Sequence, residues 1–314
     1  MTSTLQHPVI PGFHPDPTVC RVGADYFLAT SSFEYFPGVP LFHSRDLVHW
    51  KKFGHALTRP SQLDLIGAAS SEGIFAPTLR HRNGRFYLVT TKVRSDGRGG
   101  NFFIWTDDIF GEWSDPIWID REWFDPSFLF DDDGTVYYTR RTQTTIVQAR
   151  IDITTGRLLE PLRDISGPFD SSDAEGPHLY KIDGRYYLVT AEGGTGPGHR
   201  ICIGRSNSPW GPFEPCPHNP ILCHSGFSTA PVRYTGHGDL IEAANGTWWI
   251  VFLGTRHWPQ SGSNFHHLGR ETFLARVDWR NGWPVVKNAP ETPAPPAPPD
   301  SPHEWVSLRA PAAT

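Results

Sequence analysis

Three carboxylates and one histidine sit beside a proline or glycine in related settings along the chain. They are Asp16 in Gly12-Phe13-His14-Pro15-Asp16-Pro17, Asp125 before Pro126, Glu175 before Gly176-Pro177, and His237 before Gly238-Asp239; Ala76-Pro77 supplies a fifth, non-acidic member. The prolines stiffen the backbone and push the residue before each ring toward extended geometry, so each side chain is aimed rather than free. Two carboxyl groups facing each other across a sugar pocket are the working parts of glycosidic bond hydrolysis. One protonates the leaving oxygen, and the other activates water or attacks as nucleophile. A third acid tunes the pair, because a nearby negative charge keeps a carboxyl protonated at a pH where it would otherwise ionise.

For these side chains to meet, the chain must bring distant segments to one place, and an internal repeat does so. A turn glycine followed by an aromatic and apolar run occurs at Gly23, Gly84, Gly134, Gly184 and Gly246, as in Asn83-Gly-Arg-Phe-Tyr-Leu-Val-Thr and Asp183-Gly-Arg-Tyr-Tyr-Leu-Val-Thr. Each run reads as a hairpin turn feeding a strand. The period is 50 to 62 residues, and a unit of about four short strands repeated at this spacing is a propeller blade. The fold expected is therefore all-β, a five-bladed β-propeller over residues 1–288. Counting back from each turn glycine, Asp16 lies 7 residues upstream, Ala76 8, and Asp125, Glu175 and His237 each 9. All five then fall near the start of the innermost strand of a blade, around one axis.

Composition supports this reading. Thirty Gly, thirty Pro, twenty Phe and twelve Trp against one Met suit short strands and turns. A net charge of −5 gives no electrostatic reason to expect nucleic acid or an acidic membrane as partner, so a neutral oligosaccharide fits better. Cys20, Cys202, Cys216 and Cys223 lack the paired spacing of zinc sites and read as free thiols. Residues 1–10 have neither a basic nor an apolar leader pattern, and no apolar run approaches membrane-spanning length, which reads as a cytoplasmic chain; a secreted chain trimmed of its leader reads the same. Residues 289–314 change to a Pro-rich strap or linker.

The motifs PVIPGFHPDP, SSFEYFPG, GIFAPTLR, WFDPSFLFDDDG, AEGPHLYKIDGRYYL, TGHGDLIE and GRET, in this order, resemble those of glycoside hydrolase family 43, in its β-xylosidase and α-L-arabinofuranosidase branch. The resemblance implies Asp16 as general base, Asp125 as the carboxylate that modulates pKa and orients the acid, and Glu175 as general acid. It implies inversion at the anomeric carbon, and Arg270 as a hydrogen-bond donor to substrate hydroxyls; the alternative for Arg270 is a surface ion pair with Glu271. Phe33 and Phe75 match aromatic wall positions, with Phe75 standing where many family members have tryptophan. Thr195 and His199, in a Gly-rich loop, and Phe227 are expected at the pocket rim.

His237 matches a histidine on the propeller axis, beside a calcium ion or a water cluster. One histidine cannot make a calcium site alone, since calcium takes six to eight oxygen ligands. Two readings stay open, a structural Ca2+ at the axis or a neutral imidazole hydrogen-bonded to an acid; hydrolysis itself requires no cofactor. The resemblance also implies a C-terminal β-sandwich absent from this chain, whose tail from Asp300 looks like its beginning. The activity expected is exo-acting β-D-xylosidase on xylo-oligosaccharides. The alternatives are an α-L-arabinofuranosidase or dual enzyme, a non-catalytic carbohydrate-binding propeller, and a retaining fructan or sucrose hydrolase.

Overall fold

A computed structural model describes residues 8–166, 173–224, 232–257 and 265–287. The expected strap at 289–314 and Phe227 lie outside the described residues. The rest forms five antiparallel sheets in chain order, with no helix among the described residues. Blade 1 holds β1 (Thr18–Val22), β2 (Asp25–Ala29), β3 (Gly38–Ser44) and β4 (Lys51–Leu57). Blade 2 holds β5 (Gly73–Ile74), β6 (Thr78–Arg82), β7 (Arg85–Val93), β8 (Gly100–Thr106) and β9 (Ile117–Asp120). Blade 3 holds β10 (Ser127–Phe130), β11 (Val136–Arg141), β12 (Ile146–Arg150) and β13 (Arg163–Asp164). Blade 4 holds β14 (Glu175–Ile182), β15 (Arg185–Glu192), β16 (Arg200–Ser206), β17 (Glu214–Pro215) and β18 (Leu222–Cys223). Blade 5 holds β19 (Val232–Glu242), β20 (Trp248–Arg256), β21 (Glu271–Arg280) and β22 (Trp283–Lys287).

The repeat glycines turn the first hairpin of each blade, though not all alike. In blades 2 and 4 the turn is two residues, Asn83-Gly84 and Asp183-Gly184, all four with positive φ, as a type I′ turn demands. In blades 3 and 5 the pairing stops at Phe130↔Val136 and Glu242↔Trp248, leaving five-residue loops.

The second strand of each blade explains why its apolar residues run consecutively. Leu88 and Val89 are both fully buried, but Leu88 packs in the core between blades 1 and 2 and Val89 in that between blades 2 and 3. The same division holds for Leu28 and Ala29, for Leu188 and Val189, and for Ile250 and Val251. Successive strand residues point to opposite faces, and each blade is covered on both. Each Leu, Ile or Val among them contributes about 1.5–3 kcal/mol. The ring closes where Val9, Ile10 and Leu28 meet Val251 and Leu274.

At the axis, Asp239 ties four blades together. It accepts from Thr18 Oγ1 at 2.7 Å and Val19 N at 3.0 Å in blade 1, from Arg80 at 2.8 and 3.1 Å in blade 2, and from the Tyr180 hydroxyl at 2.5 Å in blade 4. Burial would raise its pKa, but Arg80 and these donors hold the carboxyl far below the usual carboxylate range.

The four cysteines carry no disulfide. No helix among the described residues is long and apolar enough to cross a membrane.

Candidate active site

The five register positions gather at one end of the axis. Asp16, Ala76 and Asp125 each stand two residues before the first long strand of their blade, while Glu175 opens β14 and His237 lies within β19. At Asp16, Asp125 and His237, and at Gly176 after Glu175, the backbone is not extended as the prolines led one to expect. Asp16, Asp125, Gly176 and His237 have φ of 54°, 58°, 55° and 48°. Left-handed backbone at non-glycine residues is costly and persists only where surrounding contacts impose it, commonly at working sites. The residue in register with Asp16 and Asp125, directly before the proline, is Gly176, not Glu175. A β-bulge between Glu175 and His178 lets the acid stand one position earlier and re-aims its side chain.

Asp16 is held from both sides. Ser31 Oγ donates to its Oδ2 at 2.5 Å, and Arg270 Nη1 to its Oδ1 at 3.1 Å, with His237 Nδ1 3.7 Å from the same oxygen. Arg270 arrives there because the N-terminal segment is laced onto the start of β21. His14 N donates to Arg270 O, Thr272 Oγ1 to His14 O, and Gly12 N to Glu271 Oε1. Glu271 is fully buried and paired twice with Arg256, at 2.6 and 2.9 Å, so the surface pair with Arg270 does not exist. Burial pushes the Asp16 pKa up, yet Arg270, His237 and Ser31 together bring it below the ordinary value. Asp16 is an ionised carboxylate.

Glu175 and Asp125 go the other way. Glu175 is raised by burial, opposed by Arg141 at 2.8 Å and reinforced by the Asp16 charge. Asp125 is raised well above the ordinary value by burial and by the charges of Glu175 and Asp16, while accepting from Gly176 N at 2.9 Å. Environments that push carboxyl pKa values apart divide the roles of base and acid.

These groups open into a cavity of about 580 Å³, which Phe33, Phe75, Thr195, Arg270 and His237 also line. Phe33 contacts Phe75 at 5.1 Å between ring centroids, Phe75 contacts Phe124 at 5.6 Å, and Phe13 contacts Phe33 at 5.7 Å, so one wall is a continuous aromatic surface. Phe33 is placed by a bridge to Ile74, so close to Gly73 that a Cβ there would lie 2.1 Å from the Phe33 carbonyl oxygen.

His199 is not at the rim. It is fully buried, with Nδ1 3.2 Å from Tyr234 O, and its ring fills the space where a Cβ on Gly236 would stand, 2.2 Å away. Burial lowers its pKa to about 4, so it is a neutral imidazole packed behind Asp16.

His237 is likewise buried, against Gly176 and Asp16, with its pKa lowered by burial. Among the described residues no three His, Cys, Asp or Glu side chains gather in a way that could hold a metal ion.

Sequence reasoning missed Phe13, Phe124, Ser31 and Arg141. The first two had a readable mark, since each is a phenylalanine just upstream of an Asp-Pro pair; the other two had none.

A model of glycosyl hydrolases family 43 matches residues 5–284. The chain belongs to this family. It is 46% identical over 285 residues to a non-reducing end alpha-L-arabinofuranosidase of Bacteroides ovatus, covering 90% of this chain and 53% of that one. A xylan 1,3-beta-xylosidase of a Vibrio species is 40% identical over 310 residues, with 91% of this chain and 58% of the relative covered. Among solved structures, a xylan beta-1,4-xylosidase from Bacillus halodurans superposes with a TM-score of 0.87 at 38% identity, covering 96% of this chain and 60% of that one. The chain thus spans little more than half the length of these relatives, and its five-bladed propeller is the fold of family 43 enzymes.

Proposed function

We propose that this family 43 propeller is an inverting, exo-acting β-D-xylosidase that removes xylose from the non-reducing ends of neutral xylo-oligosaccharides. The observation that carries the reading is the opposite perturbation of two buried carboxyls in one cavity, the Asp16 pKa lowered by Arg270, His237 and Ser31 against burial and the Glu175 pKa raised by burial and the Asp16 charge. Asp16 takes a proton from a water molecule, whose oxygen bonds to the anomeric carbon from the face opposite the leaving group. The glycosidic C–O bond breaks, and the Glu175 proton passes to the departing oxygen. Asp125 lies beside Glu175 and accepts from Gly176 N, which holds the backbone next to the acid. The aromatic wall of Phe13, Phe33 and Phe75 supplies apolar surface for a sugar face, and Arg270 lies over Phe33 with its ring centroid 5.2 Å away, within reach of sugar hydroxyls.

α-L-Arabinofuranosidase activity, alone or together with xylosidase activity, is the second reading. It is supported by the name of the Bacteroides ovatus relative and by the similar hydroxyl geometry of the two sugars.

Proton NMR of the protein with xylobiose, read before mutarotation, tests both points. α-Xylose appearing first supports inversion. β-Xylose first would require Asp16 to act as nucleophile. No xylose from xylobiose, with arabinose released from an arabinofuranoside, would favour the second reading.

A further inference from the structure

Among the described residues Arg141 is the one cation in contact with the proposed acid, and its placement is over-determined. It ends β11, buried, with Nη1 donating to Glu175 Oε2 at 2.8 Å, Nε to Thr142 O at 3.0 Å and Nη2 to Gln143 O at 3.2 Å. Its guanidinium lies 4.9 Å from the Phe124 ring centroid and 5.9 Å from that of Trp123. Two carbonyls and two aromatic rings thus fix a guanidinium that holds one oxygen of Glu175 and leaves Oε1 as the oxygen not held by it.

A guanidinium beside a general acid opposes its protonation, because it favours the carboxylate form. The conflict resolves over the catalytic cycle. When Glu175 gives its proton to the leaving oxygen, a new anion appears in a buried space already holding Asp16 and Asp125. Without a cation in contact, that charge would be opposed by burial and by the Asp16 carboxylate.

We infer that Arg141 is a positioning residue that fixes the Glu175 carboxyl and stabilises the anion formed there as the proton leaves. This rests on the reading of Glu175 as acid. The charged and titratable groups facing Glu175 are Arg141 from blade 3, Asp125 from the segment before β10, Asp16 from blade 1, and Arg270 and His237 from blade 5. Of these, Arg141 alone makes a charged hydrogen bond to it among the described residues. Arg141 thereby limits how far burial and Asp16 raise the Glu175 pKa, so it places the alkaline limb of the pH–rate profile, where activity falls as Glu175 loses its proton.

The test uses Arg141→Met, which keeps an apolar stem against Phe124 without charge, and Arg141→Lys, which keeps charge without the planar fork. The Glu175 carboxyl is titrated by carbon-13 NMR in the protein carrying labelled glutamate, its resonance assigned by its loss in Glu175→Gln. The expected result is a pKa raised by about one unit or more in Arg141→Met and nearly restored in Arg141→Lys. The alkaline limb of kcat/KM should move upward with it. Hydrolysis of substrates with poor leaving groups should fall about 10²-fold in Arg141→Met, with aryl glycosides much less affected.

An unchanged Glu175 titration in folded Arg141→Met would overturn the proposal, as would equal losses on both substrate types with an unmoved pH limb. The titration needs no substrate, so absence of hydrolysis by the wild-type protein would count against the proposed function while the Arg141 result stood by itself.

Discussion

Replacing Gly176 by alanine should damage stability and activity together, by amounts that follow from its surroundings. Gly176 has a φ of +55°, and a Cβ there would lie 2.8 Å from His237 Cε1, 3.0 Å from Nδ1 and 3.1 Å from Nε2. The left-handed backbone costs a non-glycine residue about 1–2 kcal/mol. The clash is with a ring that has little room to retreat, since His237 is buried and faces Asp16 at 3.7 Å; overpacking of this kind costs about 1–3 kcal/mol. The sum is about 2–5 kcal/mol, a fall in Tm of roughly 3–9 °C for a domain of this size.

Movement of Gly176 also displaces the N–H that Asp125 accepts and the Glu175 backbone beside it. A displacement near 1 Å lowers kcat/KM by about 10²-fold. The control is Gly184→Ala at the far end of the same hairpin, where φ is +76° but nothing lies within 4 Å of a Cβ. That variant should lose only the backbone contribution and keep its activity. Thermal denaturation and aryl-glycoside kinetics on both variants decide the matter. If Gly176→Ala melted like Gly184→Ala and kept activity within twofold, the steric coupling between this glycine and the site would be refuted.

Two other outcomes are expected. Glu175→Ala should lose far more activity on xylo-oligosaccharides than on aryl glycosides, whose phenolate leaves with little protonation, whereas Asp16→Ala should lose about 10²–10⁴-fold on both; equal losses in Glu175→Ala would remove Glu175 from the role of acid. Asp239→Ala should destabilise the fold by about 3–5 kcal/mol, because it leaves Arg80 as an uncompensated buried charge. Since the Asp239 pKa is depressed, the stability it contributes is present above the ordinary carboxylate range and is lost as pH falls. Urea midpoints at neutral and acidic pH measure both effects, and a loss under about 1 kcal/mol at pH 7 would show that the axial network is not what clamps the blades.

The number of blades was legible in the sequence because blade formation is local. A turn such as Asn83-Gly84 and the run after it settle a hairpin without help from the rest of the chain, and the paired apolar residues such as Leu88-Val89 announce a strand covered on both faces. The acids were legible for a related reason: a repeat that fixes a strand start fixes the place of whatever side chain precedes it. The same counting misplaced detail where a blade departs from its siblings, as with the bulge that puts Gly176 in the slot and Glu175 before it.

Local pattern had no access to partners brought together by closing the ring. Arg270 and Asp16 are 254 positions apart, Thr18 and Asp239 221, and Arg141 and Glu175 34, in different blades. The Pro-flanked motif suggested extended backbone at Asp16 and Asp125, and tertiary contacts imposed the left-handed one. His199 belonged to a Gly-rich loop and looked like a rim residue, but Gly236 of the next blade left room for its ring in the interior. The sequence by itself determined the five blades and the set of acids that meet at the axis. Only the tertiary structure decided which acid has its pKa lowered and which has it raised, because that depends on burial and on Arg270, Arg141 and His237, all supplied by blades other than the one carrying the acid.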